Sequence, residues 1–438
     1  MLGEFKMIWS KNETLPRLEL EKLQTERLKE TVARVYGVVP FYQQKFKEMG
    51  IVPEDIKSIK DISKLPFTKK QDLRDNYPFG MFAVNQDAVV RIHSSSGTTG
   101  KPTVVGYTKS DMDVWNEVMA RVFTMSGVNS EDTVHNAYGY GLFTGGLGVH
   151  NGAETVGATV VPSSGGFTSR QLLLMKDFNS TVLTSTPSFA LHMAETAVSE
   201  GYDLKKDFKL KCGIFGAEPT SVGLKEEVAR VWDIDYYEIY GLSEIIGPGV
   251  SNSCCESRDL HIFEDHFYPE IVNPETGEVL PYGEKGELVI TSLTKQALPI
   301  IRYRTGDITS LDKTPCKCGR THVRMKSVMG RADDMLIVNG VNIFPSQVEH
   351  VLSNVEDITL NYQIIADKKG YLDSLEIMVE VTEEMPMDSI GELEKIQKNI
   401  QNELLNNLYI NAKIKLVEPR SIERSMGKAV RVIDKRNK

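Results

Sequence analysis

Ser94-Ser95-Ser96-Gly97-Thr98-Thr99-Gly100-Lys101-Pro102 is the stretch on which the reading of this chain turns. It follows Val89-Val90-Arg91-Ile92, an apolar run that reads as a strand. Serines, threonines and glycines in this density leave backbone N–H groups unobstructed around a concavity. Such a nest of amides and hydroxyls suits a polyphosphate, and Lys101 places a point charge beside it. The stretch is not a P-loop, which has four residues between its first glycine and a Gly-Lys pair followed by Ser or Thr. Here only Thr98 and Thr99 separate Gly97 from Gly100, and Pro102 follows Lys101. Taken alone, a Ser/Thr/Gly cluster fits a surface loop equally well. The rest of the chain has to decide.

A chain of 438 residues can bury a large core and divide into more than one domain. Its 41% hydrophobic and 25% charged content is that of an ordinary globular protein. A net charge of -9 argues against a nucleic-acid partner, because phosphate backbones demand a basic face. The start, Met1-Leu2-Gly3-Glu4-Phe5-Lys6, lacks the apolar core of a secretory signal, and no apolar run is long enough to span a bilayer. The expectation is a cytoplasmic protein with no membrane partner. The five cysteines, among them Cys254-Cys255, Cys316 and Cys318, do not look like a disulfide framework.

From Pro16 to Lys47, apolar residues recur at helical spacing among charged ones, as in surface helices. Between about Val89 and Ser310 short β-branched runs alternate with helical stretches, for example Thr159-Val160-Val161, Thr181–Thr184, Cys212–Phe215 and Gly286–Ile290. That alternation predicts a layered α/β body with much parallel pairing. A second unit is expected from Gly330. It has a strand at Met335–Val338, a helix opening at Phe344-Pro345-Ser346-Gln347 and an alternating strand through Leu375 and Val381. A long helix carrying Leu393, Ile396, Ile400 and Leu404 follows, then a last strand at Ile414 and Leu416. The fold expected is therefore α/β: a large multi-subdomain body of mixed sheets and helices over 1–329, plus a small α+β C-terminal domain over 330–438.

Four more segments match the first in kind. In Tyr240-Gly241-Leu242-Ser243-Glu244 the aromatic can stack on a base and the carboxylate can hold Mg²⁺; it reads equally as a strand end turning a corner. In Arg302-Tyr303-Arg304-Thr305-Gly306-Asp307 a carboxylate at a turn suits two ribose hydroxyls, or is merely a charged turn. Gly330-Arg331-Ala332-Asp333-Asp334 lies at the inferred boundary, as a hinge or a solvated linker would. Arg424-Ser425-Met426-Gly427-Lys428 ends on a lysine that, standing alone, would be solvent-exposed and idle.

Together, in this order and spacing, these elements resemble the adenylate-forming superfamily of acyl–coenzyme A synthetases, luciferases and peptide-synthetase adenylation domains. More narrowly the chain resembles the phenylacetate–coenzyme A ligases, from Tyr36-Gly37-Val38-Val39-Pro40-Phe41-Tyr42 to Gly427-Lys428-Ala429-Val430-Arg431. Three stretches are specific to that group: Tyr138-Gly139-Tyr140-Gly141-Leu142-Phe143, Glu264-Asp265-His266-Phe267-Tyr268-Pro269-Glu270, and Gly340-Val341-Asn342-Ile343-Phe344-Pro345-Ser346-Gln347. The resemblance implies two half-reactions: a carboxylic acid attacks the α-phosphate of ATP, then coenzyme A displaces AMP. It implies that Ser94 to Lys101 embrace the phosphates and that Glu244 helps hold Mg²⁺. Gly216, Ala217, Glu218 and Pro219 would border the adenine, with Tyr240 stacking near it and Ser243 beside it. Asp307 would bind the ribose, and Arg331 and Lys428 would act from the small domain. Asp333 would be the pivot, and the loop at Gly340 would meet coenzyme A. Tyr138, Tyr140, Phe143 and Ala217 would form an aromatic pocket with one hydroxyl able to meet a polar group. The acid implied is an arylacetate, phenylacetate first, with indoleacetate, hydroxyphenylacetate and benzoate as neighbours; a carrier protein or an amine is the other acceptor to consider. A homodimer is the family-level expectation.

Cys254, Cys255, His261, Cys316 and Cys318 lie outside that chemistry. One of the adjacent cysteines with the Cys316/Cys318 pair and His261 would complete a structural Cys₃His zinc site. The spacing Cys-x-Cys is tighter than the common Cys-x₂-Cys, and thiols of a reducing compartment can also stand idle. Cys212, in an apolar strand, reads as core.

Overall fold

A computed structural model describes residues 8–94, 102–331, 336–338, 341–369, 372–386, 389–408, 410–424 and 429–436. The chain opens on α1 (Arg17–Val38), α2 (Pro40–Met49) and the short α3 (Lys70–Asp75). The antiparallel pair β1 (Val89–Ser94) and β2 (Val104–Thr108) leads into α4 (Lys109–Met125). Strands and helices then alternate: β3 (Thr133–Asn136), α5 (Thr144–Thr155), β4 (Thr159–Val161), α6 (Thr168–Asp177), β5 (Val182–Ser185), α7 (Pro187–Ser199), α8 (Leu204–Asp207), β6 (Cys212–Gly216), α9 (Val222–Trp232) and β7 (Asp235–Leu242). Strands dominate from β8 (Gly247–Cys254) through β9 (Ser257–Ile262), β10 (Phe267–Val272), β11 (Gly286–Ser292), β12 (Tyr303–Thr309), β13 (Leu311–Asp312), β14 (Arg324–Met325) and β15 (Gly330–Arg331). The chain closes with β16 (Leu336–Val338), β17 (Val341–Ile343), α10 (Pro345–Leu352), β18 (Ile358–Lys369), β19 (Leu372–Val381), α11 (Ile390–Leu408), β20 (Lys413–Val417) and β21 (Val432–Asp434).

By compactness these elements fall into two units. One comprises Met1–Ser185, Phe208–Ala217 and Tyr237–Ser327; the other Thr186–Asp207, Glu218–Tyr236 and Val328–Lys438. The first is built on a nine-stranded sheet in the order β13-β14-β9-β8-β7-β6-β5-β3-β4. Its β4-β3-β5-β6 half is parallel and its β7-β8-β9-β14-β13 half antiparallel. The parallel half behaves as the sequence suggests. Every residue of β5 and β6, Cys212 included, is buried, as expected of strands covered on both faces. Caps fix where the helices begin: Thr108 accepts from the Asp111 N–H at α4, and Asp111 returns the bond to the Thr108 N–H.

The motif Glu264–Glu270 finds its explanation here. Three of its carboxylates each grip an arginine brought from elsewhere in the chain. Arg17 pairs bidentately with Glu264 at 2.8 and 2.9 Å, Arg121 with Asp265 at 2.7 and 2.9 Å, and Arg302 with Glu270 at 3.0 and 2.9 Å. Burial pushes the Asp265 carboxyl up, but His266 and Arg121 outweigh it and hold that group well below the usual carboxylate range. The motif thus ties the start of α1, α4 and the residue before β12 to the segment that leads into and through β10.

In the second unit, the four-stranded sheet β20-β19-β18-β21 carries α10 and α11, whose Val348, Val351, Ile396, Ile400 and Leu404 enter a common core with Ile364, Ile377 and Val379. Ile414 and Leu416 lie on β20 as expected, but β20 is not the last strand. Residues Val432–Asp434 add β21 in parallel to β18, a three-residue strand too short to show a period of two.

Candidate active site

At the end of β7 the chain turns through Ser243–Ile246 before β8 begins at Gly247. Glu244 is buried, and its carboxylate accepts a bond from Thr103 Oγ1 at 3.4 Å, one residue beyond Pro102. Lys70, from the start of α3, reaches the same carboxylate oxygen at 3.9 Å. Ser243 Oγ lies 3.1 Å from Thr144 Oγ1 at the start of α5. Ser94, at the end of β1, donates its N–H to Leu142 O at 3.1 Å, and His93 Nδ1 lies 3.0 Å from the same oxygen. The polar strand end is thereby tied to the Tyr138–Phe143 loop.

Tyr240 hydroxyl donates to Asp307 Oδ2 at 2.6 Å, which binds the end of β7 to β12. The ring was expected to stack on a base; its hydroxyl is directed at the ribose candidate. Around Asp307 the turn is over-determined. Thr305 Oγ1 accepts from the Asp307 N–H at 3.0 Å, and Glu287 accepts from the Gly306 N–H at 3.0 Å while gripping Arg304. Gly306 has φ +78°, in the region that favours glycine. Gly216 has no alternative for another reason: a Cβ there would lie 2.2 Å from Ile239 O. Ala217 follows at φ +72°.

The Tyr138–Phe143 loop holds a directional chain of hydrogen bonds. Buried Asn136 donates from Nδ2 to the Tyr140 hydroxyl at 2.8 Å and to Gly146 O at 2.8 Å. The Tyr140 hydroxyl meets His150 Nδ1 at 3.1 Å, and His150 Nε2 meets Glu154 at 3.0 Å. Asn136, Tyr140, His150 and Glu154 thus form one continuous hydrogen-bonded chain. Of the two tyrosine hydroxyls in the expected pocket, that of Tyr140 is therefore already engaged within the protein. Tyr138 is buried, and Phe143 is half-exposed at the mouth of α5.

Glu218 belongs to the second unit, where its carboxylate takes the Ser188 N–H at 2.8 Å, the Ser188 hydroxyl at 3.0 Å and the Ala429 N–H at 3.1 Å. Burial pushes this carboxyl up, against those bonds and Arg431. Pro219 is exposed beside it, and Arg331 is half-buried in β15. Ser95, Ser96, Gly97, Thr98, Thr99, Gly100, Lys101, Asp333, Gly340 and Lys428 lie outside the described residues.

The cysteine cluster is resolved in favour of Cys254. Its Sγ lies 3.6 Å from His261 Nε2 and 3.8 Å from Cys316 Sγ; Cys318 Sγ lies 3.5 Å from the same nitrogen. All four ligand atoms lie within 4.8 Å of one another, and Cys255 is exposed outside the group. A tetrahedral zinc ion with Zn–S of about 2.3 Å has S···S edges of about 3.8 Å, so the donor set has the right size. The Cys318 thiol is held well below its usual value, first by the bond from Cys254 and then by His261, while Cys254 is pushed up.

The site residues that a single sequence does not reveal are Lys70, Thr103, Asn136, His150 and Glu287. Each acts through a partner too distant in the chain, or too ordinary in type, to leave a pattern.

Known proteins place the chain. The family model described as AMP-binding enzyme matches residues 21–294, and the one described as AMP-binding enzyme C-terminal domain matches 340–436. A phenylacetate–coenzyme A ligase of Thermus thermophilus is 49% identical, with 97% of this chain and 98% of that protein covered. One of Aromatoleum evansii is 49% identical over 96% and 95%. Among solved structures, a 2-hydroxyisobutyryl-CoA ligase in the postadenylation state superimposes with TM-score 0.92 at 29% identity, over 98% of this chain and 92% of that one. No helix among the described residues is long and apolar enough to cross a membrane. The chain belongs to the AMP-binding enzyme family and, within it, to the phenylacetate–coenzyme A ligases, AMP-forming acid–thiol ligases that use ATP and coenzyme A and pass through an acyl adenylate.

Proposed function

We propose that the acid this enzyme activates is phenylacetate, with an unsubstituted ring preferred. The observation that carries this reading is the engaged Tyr140 hydroxyl, which accepts from Asn136 and is hydrogen-bonded to His150 Nδ1. A ring substituent bearing a hydroxyl would find that partner taken, and a buried polar group without a partner costs about 1–3 kcal/mol. Phenylacetate is therefore expected to exceed 4-hydroxyphenylacetate in kcat/KM by roughly tenfold or more. A thioester-formation screen over arylacetic, benzoic and fatty acids tests it; equal rates for the two arylacetates would count against it.

The phosphates of ATP lie along Ser94 to Lys101, the ribose on Asp307 with Tyr240 behind it, and Mg²⁺ on Glu244. When bound, Mg²⁺ neutralises phosphate charge and orients the triphosphate. The backbone of Gly216 to Pro219 borders the base, while the Glu218 side chain is occupied in anchoring the residue after Lys428. The aryl ring sits among Tyr138, Tyr140, Phe143 and Ala217. Residues 330–438 act as the mobile small domain, pivoting at Asp333; Lys428 and Arg331 serve adenylation and the loop at Gly340 meets coenzyme A. The setting is cytoplasmic, where ATP, coenzyme A and reduced thiols coexist.

Cys254, His261, Cys316 and Cys318 hold a structural zinc ion, with no open coordination position for catalysis. Freshly purified protein is expected to contain one equivalent of zinc, and Cys318→Ser to lose it together with thermal stability. Metal analysis that finds no zinc, with all thiols freely titratable, would remove the site.

A further inference from the structure

Lys70 stands beside the Glu244 carboxylate. Its ammonium lies 3.9 Å from Glu244 Oε1, and its side chain keeps 42% of its surface exposed against 9% for Glu244. At that distance the contact is an ion pair without a well-formed hydrogen bond, so the three ammonium donors remain available to another acceptor. The backbone beneath Lys70 is rigid. Two residues earlier, Thr68 donates its N–H to Arg302 O at 3.0 Å and accepts the Arg304 N–H at 2.9 Å. Its hydroxyl bonds Ile301 O at 2.7 Å and meets the Tyr42 hydroxyl at 2.9 Å. The Phe67 ring lies under the Arg302 guanidinium at 4.0 Å. A flexible four-carbon stem therefore swings from a base fixed to the strand that carries Asp307. Thr103, the residue that follows the Ser94–Pro102 stretch, bonds the same Glu244 oxygen.

We propose that Lys70 binds the β- and γ-phosphates of ATP and receives the departing pyrophosphate in the adenylation step. This rests on the reading that Glu244 serves the triphosphate. In that step an acid oxygen forms a bond to the α-phosphorus, the bond from the α-phosphorus to the bridging oxygen breaks, and pyrophosphate leaves with the electron pair. Negative charge accumulates on the leaving group, where a point cation counts most. Once Glu244 is engaged by the cation that accompanies ATP, Lys70 exchanges a loose carboxylate contact for phosphate oxygens. Coenzyme A attack on the acyl adenylate occurs after pyrophosphate has gone, so Lys70 has no task there.

The test compares wild type, Lys70→Ala and Lys70→Arg in three measurements. These are phenylacetate-dependent ATP–pyrophosphate exchange, calorimetric binding of inorganic pyrophosphate without added metal, and thioester formation from supplied phenylacetyl adenylate and coenzyme A. Loss of one charged hydrogen-bond donor predicts a roughly 10- to 100-fold rise in the KM and Kd for pyrophosphate in Lys70→Ala. Partial recovery is expected in Lys70→Arg, with the thioester step unchanged in both. Unaltered pyrophosphate affinity in Lys70→Ala would overturn the proposal, as would equal losses in both half-reactions. If Glu244→Gln leaves exchange at the wild-type rate, the reading of Glu244 fails and takes this proposal with it; normal dependence on Glu244 with no effect at Lys70 refutes Lys70 alone.

Discussion

Replacing Lys428 with alanine is expected to slow acid-dependent ATP–pyrophosphate exchange by about 10²–10³-fold or more, while thioester formation from supplied acyl adenylate stays within a few-fold of wild type. The asymmetry follows from the charges. In the first half-reaction an anionic acid must approach an anionic α-phosphate, and a lysine between them offsets repulsion that peaks in the transition state. In the second, a thiolate attacks an acyl carbon already activated by AMP, and the same cation has no such task. The flanks of the lysine are held firmly. Arg424 lies bidentate on Glu380 at 2.8 Å and 2.8 Å, and the Ala429 N–H lies on Glu218. Losing Lys428 should therefore leave the fold intact, and unchanged thermal unfolding serves as the control. Equal losses in the two half-reactions would contradict the assignment.

The second large effect is one of stability. Glu270→Ala is expected to cost about 3–5 kcal/mol, because it strands a buried guanidinium that cannot shed its charge. Arg302 is 4% exposed and bonds Ser63 O and Leu65 O at 3.0 Å each besides the carboxylate. Its φ of +44° is a left-handed conformation that a non-glycine residue holds only under constraint. The Glu270 pair supplies part of that constraint at the entrance to β12, five residues before Asp307. Loosening it should lower the thermal midpoint by roughly 5–10 °C and raise the KM for ATP together. Glu270→Gln, which keeps an acceptor, should fall between. A midpoint within 1–2 °C of wild type would mean that Arg302 finds its partners without Glu270.

Much of this architecture is legible in the sequence, for identifiable reasons. Amphipathic periods mark α1, α10 and α11, and β4, β5 and β11 stand out as short runs rich in β-branched residues. Within the cysteine set, the neighbours Cys254 and Cys255 could not be told apart from sequence. Cys254 is the last residue of β8 and is buried beside His261 of β9, whereas Cys255 falls in the turn between the two strands and is exposed. The engagement of Tyr140 was hidden because it needs Asn136 and His150, neither of which belongs to a pattern. Lys70 carries no signal of its own in the sequence, where it simply follows Lys69. Its meaning depends on Thr68 being fastened to residues more than two hundred positions away. The α7 and α9 stretches that join residues 328–438 in one compact unit were equally silent, since helices show which face is buried but not against what.

The proposed assignment has the hydroxyl-rich sequence Ser94 to Lys101, the Asp307 carboxylate and Lys428 all serve one nucleotide. A crystal structure of the enzyme with phenylacetate and a non-hydrolysable ATP analogue tests it directly. The expected result has the triphosphate cradled by Ser94 to Lys101 and both ribose hydroxyls within hydrogen-bond distance of Asp307. A nucleotide bound elsewhere, with Asp307 still paired only to Tyr240, would contradict it.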